Sequence, residues 1–417
     1  MQLSDDFVRE TRAVMGSERF ERYLKAFEEE APVSIRLNPR KYQLSTINHR
    51  RPSVPWCPAG FYLPTRPQFT FDPLLHAGCY YVQEASSMFL DEVLRQHLSQ
   101  QPVVFLDMCA APGGKSTLIR SAISNDSILV SNEPVRKRAQ ILSENIEKWG
   151  YPRCYVTNNY PRDFRKAGLM FDAILCDVPC SGEGMFRKDE ATISEWSLQN
   201  VERCSQLQRE IVAEAWQCLL PGGLFIYSTC TFNIKENEGN VCWILHEFDA
   251  EVLSVDVKSE WGITGSLLPG FDMPVYRFIP GITRGEGLFM AVMRKGGLTP
   301  KGGGDQHAAI TKKLERMNPI VPFSLRNGVE SGASASLDYP TAISYLRGEA
   351  IVLTPDVPRG LVTVSFMGQP LGLVKNIGSR ANNLYPKEWR IKSTHIPTLT
   401  PDSFPLTSIL TPQPTNS

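Results

Sequence analysis

Residues 103–117, VVFLDMCAAPGGKST, constrain this chain more than any other stretch. The apolar run Val103-Val104-Phe105-Leu106 ends at Asp107 and reads as a short buried strand. Pro112-Gly113-Gly114 then forces a tight turn with little Cβ bulk. Lys115 to Ile123 follows with helical composition. Strand, glycine turn and helix in that order open a βαβ unit. Backbone can approach a ligand closely there, and a helix N-terminus favours electronegative groups. The spacing is not GxGxxG. It is not GxxxxGK[ST] either, because Cys109 stands where the first glycine would be. Taken alone, the stretch is equally a plain βα turn.

What surrounds it decides the fold class. Strands are expected at 103–107, 127–132, 153–157, 171–177 and 223–229. Helices are expected at 115–123, 134–149, 200–219 and 234–247, with a further strand near 286–294. This alternation marks an α/β domain whose parallel sheet is covered on both faces. Ahead of it, Phe7, Val14, Phe20, Leu24 and Phe27 recur at helical spacing among charges, as in two short amphipathic helices. Residues 34–39 read as a strand stopped by Pro39. Residues 50–84 are rich in proline and aromatics, and few regular elements are expected there. Trp56, Phe61, Phe69 and Tyr81 in that segment read first as core.

Composition narrows the function classes. A chain of 417 residues is suited to two or three domains. Lys+Arg and Asp+Glu balance at 44 each, so any nucleic-acid contact must be local. No apolar run reaches the ~20 residues of a membrane span. The first residues are charged and lack a signal-peptide core, so a cytoplasmic protein is expected. The ten cysteines contain no CxxC, which argues against a disulfide framework and a zinc site. Reduced cysteines leave room for a catalytic thiol. Towards the end, residues 340–392 hold seven basic and three acidic residues, with Phe366, Tyr385 and Trp389 among them. That mixture suits an RNA-binding surface.

In an open α/β sheet, ligands bind beyond the carboxyl ends of the strands. Asp107 and Cys109 follow the first strand. Glu133 follows the second, where an acid often holds ribose hydroxyls. Asn158 and Asn159 follow the third. Asp177 and Pro179-Cys180-Ser181-Gly182 follow the fourth. Ser228, Thr229 and Cys230 end the fifth. Singly, Cys180 and Cys230 would read as core residues. Their joint placement at two strand ends reverses that reading.

Three motifs, LDMCAAPGGKS, DVPCSGEGMFRKD and PGGLFIYSTCT, resemble the signatures of the Nop/Sun-type RNA cytosine-C5 methyltransferases. SIRLNPRK and the aromatic segment 54–88 resemble the N-terminal region of that family. ANNLYPKEWRI resembles the C-terminal module of its bacterial small-subunit ribosomal RNA members. The resemblance implies a Rossmann-type methyltransferase domain at 101–296 that uses S-adenosylmethionine. A small N-terminal α+β region (1–100), a linker (297–336), a small basic PUA-like module (337–395) and a flexible tail (396–417) would flank it. By match, Cys109, Ala110, Ala111, Pro112, Gly113, Gly114 and Lys115 would wrap the methionine part of the cofactor. Glu133 would hold the ribose, and Asp177 would serve both cofactor and target base. Cys230 would be the nucleophile, and Cys180 would help release product. Asn159 or Tyr160 occupies the place of an acid usual near the adenine. Pro280-Gly281 replaces a Pro-His. The implied partner is RNA, with no metal and no membrane.

The chemistry explains why those groups are needed. C5 of cytosine is a poor nucleophile. A thiolate adding to C6 makes C5 an enamine carbon able to attack a methyl group. An ordinary thiol is only a few per cent thiolate at neutral pH, and Lys188 or Arg187 are candidates to favour the anion. Two other readings are a non-catalytic RNA-binding scaffold and a methyltransferase acting on transfer RNA.

Overall fold

Phe7, Thr11 and Met15 line one face of an otherwise charged segment, and that spacing builds helix α1 (Asp5–Met15). Ser4 caps it by accepting from the Phe7 N–H, and Gly16 ends it. Helix α2 (Ser17–Lys25) follows. The structure is a computed structural model and describes residues 3–42, 52–298, 310–320, 332–393 and 404–410. Strand β1 (Val33–Leu37) then joins β2 (Ser53–Val54), β3 (Cys57–Leu63) and β4 (Tyr80–Val82) in a sheet of order β2-β3-β1-β4. A short helix, α3 (Pro73–His76), lies between β3 and β4. The proline- and aromatic-rich segment is therefore largely regular, contrary to expectation. Its Pro58 and Gly60 disguise β3, which holds its place by packing. Trp56, Phe61 and Phe69 are core, as the composition suggested.

The central unit starts with α4 (Phe89–His97), β5 (Val104–Asp107) and α5 (Gly114–Ala122). It continues through β6 (Ile128–Asn132), α6 (Arg136–Trp149), β7 (Cys154–Thr157) and α7 (Pro161–Lys166). Strand β8 (Phe171–Asp177), α8 (Glu190–Glu195), α9 (Leu198–Gln217) and β9 (Leu219–Thr229) come next. Helix α10 (Glu238–Glu247), β10 (Ala250–Val252), β11 (Val275–Phe278) and β12 (Leu288–Lys295) complete it. The strand order is β10-β12-β9-β8-β5-β6-β7, with β11 also paired to β12. Strands β5 to β9 run parallel, and β12 returns antiparallel to β9. Apolar side chains leave this sheet on both faces. Phe105, Leu175 and Ile226 pack towards α4 and the N-terminal sheet, while Leu106, Ile174 and Phe225 pack towards α9 and α10.

The last unit contains β13 (Ala333–Ser336), α11 (Tyr339–Leu346), β14 (Gly360–Phe366), β15 (Gln369–Asn376) and β16 (Ala381–Asn383). Its core is continuous with that of the N-terminal sheet, where Ile35, Leu37 and Phe61 join Val362, Val364 and Tyr345. Part of the expected linker is structured. Ile310, Leu314 and Met317 are buried against the central sheet, and Ile320 N–H donates to Val156 O at the β7 edge. Part of the expected flexible tail is structured too. Helix α12 (Pro405–Leu410) places Phe404, Leu406 and Ile409 in the same core. Strand β13 also falls within the expected linker, while residues 299–309, 321–331, 396–403 and 411–417 lie outside the described residues. Among the described residues, no helix is long and apolar enough to cross a membrane, and no cluster of metal-ligating side chains is present.

Candidate active site

Strand β5 delivers Asp107 to a fully buried position. Its Oδ2 accepts from Ser116 Oγ at 2.6 Å, and its Oδ1 has no partner. Burial raises its carboxyl to about 7, against the Ser116 hydrogen bond and with help from nearby Asp177 and Glu133. The turn that follows is held from several sides. Ala110 N–H donates to Asn132 O, Arg138 donates to Ala111 O, and Asn145 Nδ2 donates to Pro112 O. Gly113 has φ +116°, and a Cβ there would come within 3.2 Å of Leu142 Cδ1. Arg36 reaches in from β1, donating to Gly114 O at 3.2 Å and Thr117 Oγ1 at 2.6 Å.

Two more acceptors stand beside Asp107 at the neighbouring strand ends. Glu133 follows β6 and is buried; its Oε1 accepts from Val135 N–H at 2.9 Å. Its Oε2 has no hydrogen-bond partner, although Arg138 Nη1 lies 3.2 Å away as an ion pair. Asn159 follows β7; Asn132 Nδ2 donates to its backbone carbonyl, and its side-chain Oδ1 is buried without a partner. Two buried acceptors without partners, and a third held only by the Arg138 ion pair, at the ends of three adjacent strands call for a ligand rich in donors. The Cys109 side chain packs instead against the core, and burial pushes its thiol well above the usual value.

The fourth and fifth strand ends form a second corner. Asp177 and Ser228 are register partners across β8 and β9. Ser228 Oγ donates to Asp177 Oδ1 at 2.6 Å, and Lys115 Nζ donates to Asp177 Oδ2 at 2.7 Å. Burial works to lower the Lys115 ammonium, but Asp177, Asp107 and the Cys230 sulfur together hold it above the usual lysine value. Cys180 Sγ lies 3.1 Å from Cys230 Sγ, and Cys230 N–H donates to Cys180 Sγ at 3.4 Å. Both thiols are free and partly accessible. The hydrogen bond with Cys230, then burial, raises Cys180 well above the normal thiol range.

A buried polar network clamps the two sulfur-bearing loops together. Glu183 Oε2 accepts from Phe232 N–H at 2.6 Å and Asn233 N–H at 3.1 Å. Its Oε1 accepts from Trp196 Nε1 and Asn233 Nδ2, each at 2.9 Å. Glu236 Oε2 accepts from Ser181 N–H at 3.0 Å and Gln208 Nε2 at 2.6 Å. Gly184 N–H donates to Cys230 O at 2.6 Å, and a Cβ on Gly184 would meet that same oxygen at 2.6 Å.

The expected residues thus fall into two adjoining groups. Asp107, Glu133 and Asn159 line one end, and Lys115, Asp177, Cys180 and Cys230 the other, with the turn 109–114 between. Two expectations change. Arg187, expected as a candidate to favour the anion, is instead committed to Glu286 at 3.1 Å and to Glu29 O at 3.0 Å. The aromatics Phe366 and Tyr385 belong to the core of the last unit rather than to an RNA-facing surface, because its sheet needs apolar filling on one face. Arg36, Glu183, Gln208, Asn233 and Glu236 were not anticipated. A lone arginine inside the strand pattern SIRL was the one available signal, since the others depend on partners distant in sequence.

Residues 93–294 match the family model described as 16S rRNA methyltransferase RsmB/F. Residues 3–85 match the N-terminal domain of 16S rRNA methyltransferase RsmF, and residues 333–391 match the methyltransferase RsmF PUA domain. A relative named ribosomal RNA small subunit methyltransferase F, from Cronobacter sakazakii, is 30% identical across 85% of this chain and 89% of its own length. The protein of that name from Escherichia coli O81 is 30% identical across 92% of this chain and 96% of its own. The one from Pectobacterium atrosepticum is 38% identical, with the alignment spanning 51% of its length. A methyltransferase homologue of known structure from Pyrococcus horikoshii superposes with TM-score 0.59 at 26% identity, covering 70% of this chain and 95% of that one. NSun6 from the same organism, solved with SFG, shares the fold at TM-score 0.58 and 20% identity, covering 70% of this chain and 98% of that one. The chain belongs to the RsmB/F family of 16S rRNA methyltransferases.

Proposed function

We propose that this protein forms 5-methylcytosine in RNA of the small ribosomal subunit, with S-adenosylmethionine as methyl donor. The observation that carries the reading is the 3.1 Å approach of Cys180 Sγ to Cys230 Sγ at the carboxyl ends of adjacent parallel strands. A single nucleophile would need one thiol. Two thiols suit a reaction that first makes and then breaks a sulfur–carbon bond. A ribosomal substrate puts the reaction in the cytoplasm.

These three acceptors fit the cofactor's donor set. Asp107 Oδ1, Glu133 Oε2 and Asn159 Oδ1 would accept from a group that offers an ammonium, ribose hydroxyls and an adenine amino group. The turn 109–114 would take the methionine part. S-adenosylmethionine, when bound, supplies an electrophilic methyl group.

The chain's own residues then work in order. Cys230, as thiolate, adds to C6 of the flipped cytosine, and the C5–C6 π electrons move into the ring. Asp177, held by Lys115 and Ser228, brings a proton to N3 and so neutralises the charge that arrives there. C5 takes the methyl group. Once Cys230 is bound to carbon, the hydrogen bond that raised Cys180 is gone. Cys180, having lost its own proton to solvent, then removes the C5 proton, and the electrons of that C–H bond expel Cys230 from C6 as a thiolate.

Two variants test this. Cys230→Ala should abolish methyl transfer. Cys180→Ala should leave a covalent RNA–protein adduct, visible as a shifted band on a denaturing gel. An active Cys230→Ala enzyme would overturn the assignment. Bisulfite sequencing of ribosomal and transfer RNA, with and without the protein, identifies the substrate. Absence of any cofactor-binding heat in calorimetry would favour a non-catalytic scaffold.

A further inference from the structure

A cavity of about 1080 Å³ lies away from the two thiols, where three parts of the chain meet. Its walls come from the loop after β1, the junction of α6 and β7, and the last unit. The lining includes Cys154, at the amino end of β7, whereas Cys180 and Cys230 follow the carboxyl ends of β8 and β9. Strand β7 is three places from β8 in the sheet, a lateral separation of roughly 14 Å. The cavity is therefore separate from the thiol corner.

Its walls carry two cation–aromatic pairs. The Arg40 guanidinium lies 5.4 Å from the Tyr151 ring centroid, and Lys148 Nζ lies 5.3 Å from the Trp389 ring centroid. The second pair spans the central unit and the last unit. Tyr151 and Trp389 are partly exposed, and Arg40 is exposed with no ion pair among the described residues. Of the lining cations, Lys148 is paired with Glu144 and Lys41 donates to the carbonyls of Ala77 and Lys148, which leaves Arg40 to meet a phosphate. Tyr155 adds a third partly exposed ring.

We propose that this cleft is a second RNA subsite that takes one or more unpaired nucleotides of the substrate strand outside the target base. Rings give the stacking faces that unpaired bases need, and the exposed Arg40 can neutralise a neighbouring phosphate. The proposal rests on the RNA reading of the thiol site. A base seated about 14 Å or more from the thiols requires several unpaired nucleotides around the target cytosine. A fully paired duplex would not reach both places.

The experiment uses the full-length protein, a fluorescent single-stranded oligonucleotide of mixed sequence, and its fully paired duplex. Affinities of wild type, Tyr151→Ala, Trp389→Ala and Arg40→Ala are measured by anisotropy, and S-adenosylmethionine binding by calorimetry. Each ring variant should weaken the single strand about tenfold, in line with the loss of one stacked base. Arg40→Ala should lessen the salt dependence of binding. Cofactor binding should stay unchanged in all three, which shows that the variants fold. Ring variants that bind the cofactor normally and the single strand as tightly as wild type would overturn the subsite while leaving the thiol assignment intact. A preference for the duplex would also overturn it. Wild type that binds the cofactor and no RNA at all would overturn the functional reading as well.

Discussion

Lys115 Nζ donates to Asp177 Oδ2 at 2.7 Å, and this pair joins the glycine turn to the strand that leads to Cys180. Both side chains are largely enclosed, at 15% and 30% exposure. Enclosure makes their attraction stronger than a surface ion pair. Lys115→Met keeps much of the volume and removes the charge. We expect methyl transfer to fall by roughly a hundredfold, because Asp177 loses its orienting partner. Single-turnover transfer to RNA is the readout. A variant with wild-type turnover would remove Lys115 from the reaction.

Glu183 holds the two sulfur loops in register. Its two oxygens receive the backbone N–H groups of Phe232 and Asn233 and the side chains of Trp196 and Asn233. Replacement by alanine leaves several buried donors without an acceptor, each worth about 1–3 kcal/mol. Glu183→Ala should lose about 3 kcal/mol or more of unfolding free energy in urea titration. Adduct formation by a Cys180→Ala, Glu183→Ala double variant should slow as well, because the Cys230 loop is no longer anchored.

Much of the central unit was legible because its strands are short apolar runs and its helices carry amphipathic spacing. Val104–Asp107 and Phe171–Asp177 needed no distant information. The functional residues at strand ends were legible for the same reason, since topology puts every carboxyl end on one edge. Strand β3 was not legible, because Pro58 and Gly60 interrupt its pattern while its pairing with β1 sustains it. The 310–320 segment looked like linker because its order comes from docking Leu314 and Met317 onto a sheet formed 150 residues earlier. Glu183 and Glu236 were missed because a carboxylate in a polar loop reads as solvated. Only the fold shows that Asn233 and Gln208 surround them.

Gly184 and Gly182 offer a contrast within one loop. A Cβ at Gly184 would lie 2.6 Å from Cys230 O and 2.8 Å from Gly287 Cα. Both are backbone atoms, so the loop itself must move. At Gly182, φ is +80° and nothing lies within 4 Å of the added atom. Gly182→Ala should therefore cost only about 1–2 kcal/mol of left-handed strain. Gly184→Ala should cost more than that and should displace the Cys230 carbonyl. Comparing thermal midpoints and adduct yields of the two variants tests this. Equal losses in both would contradict the close approach of the two loops.

Glu286 gives a stability prediction with a defined sign. Burial raises its carboxyl to about 7, although Arg187 opposes the shift. Its Oε1 is paired with Arg187 and its Oε2 has no partner. The folded protein therefore binds a proton here that the unfolded chain, with an ordinary value near 4.5, has already lost. Stability from this group is present below about 4.5 and is lost as pH rises through about 7. Glu286→Gln can keep its carbonyl on Arg187 and places an amide where the unpartnered oxygen stood. Relative to this variant, wild type should lose on the order of 1–3 kcal/mol between those two pH values. Urea titrations of both proteins across that window measure the difference. Parallel pH profiles for wild type and Glu286→Gln would mean that the carboxyl is already ionised in the folded state, with Arg187 outweighing its burial.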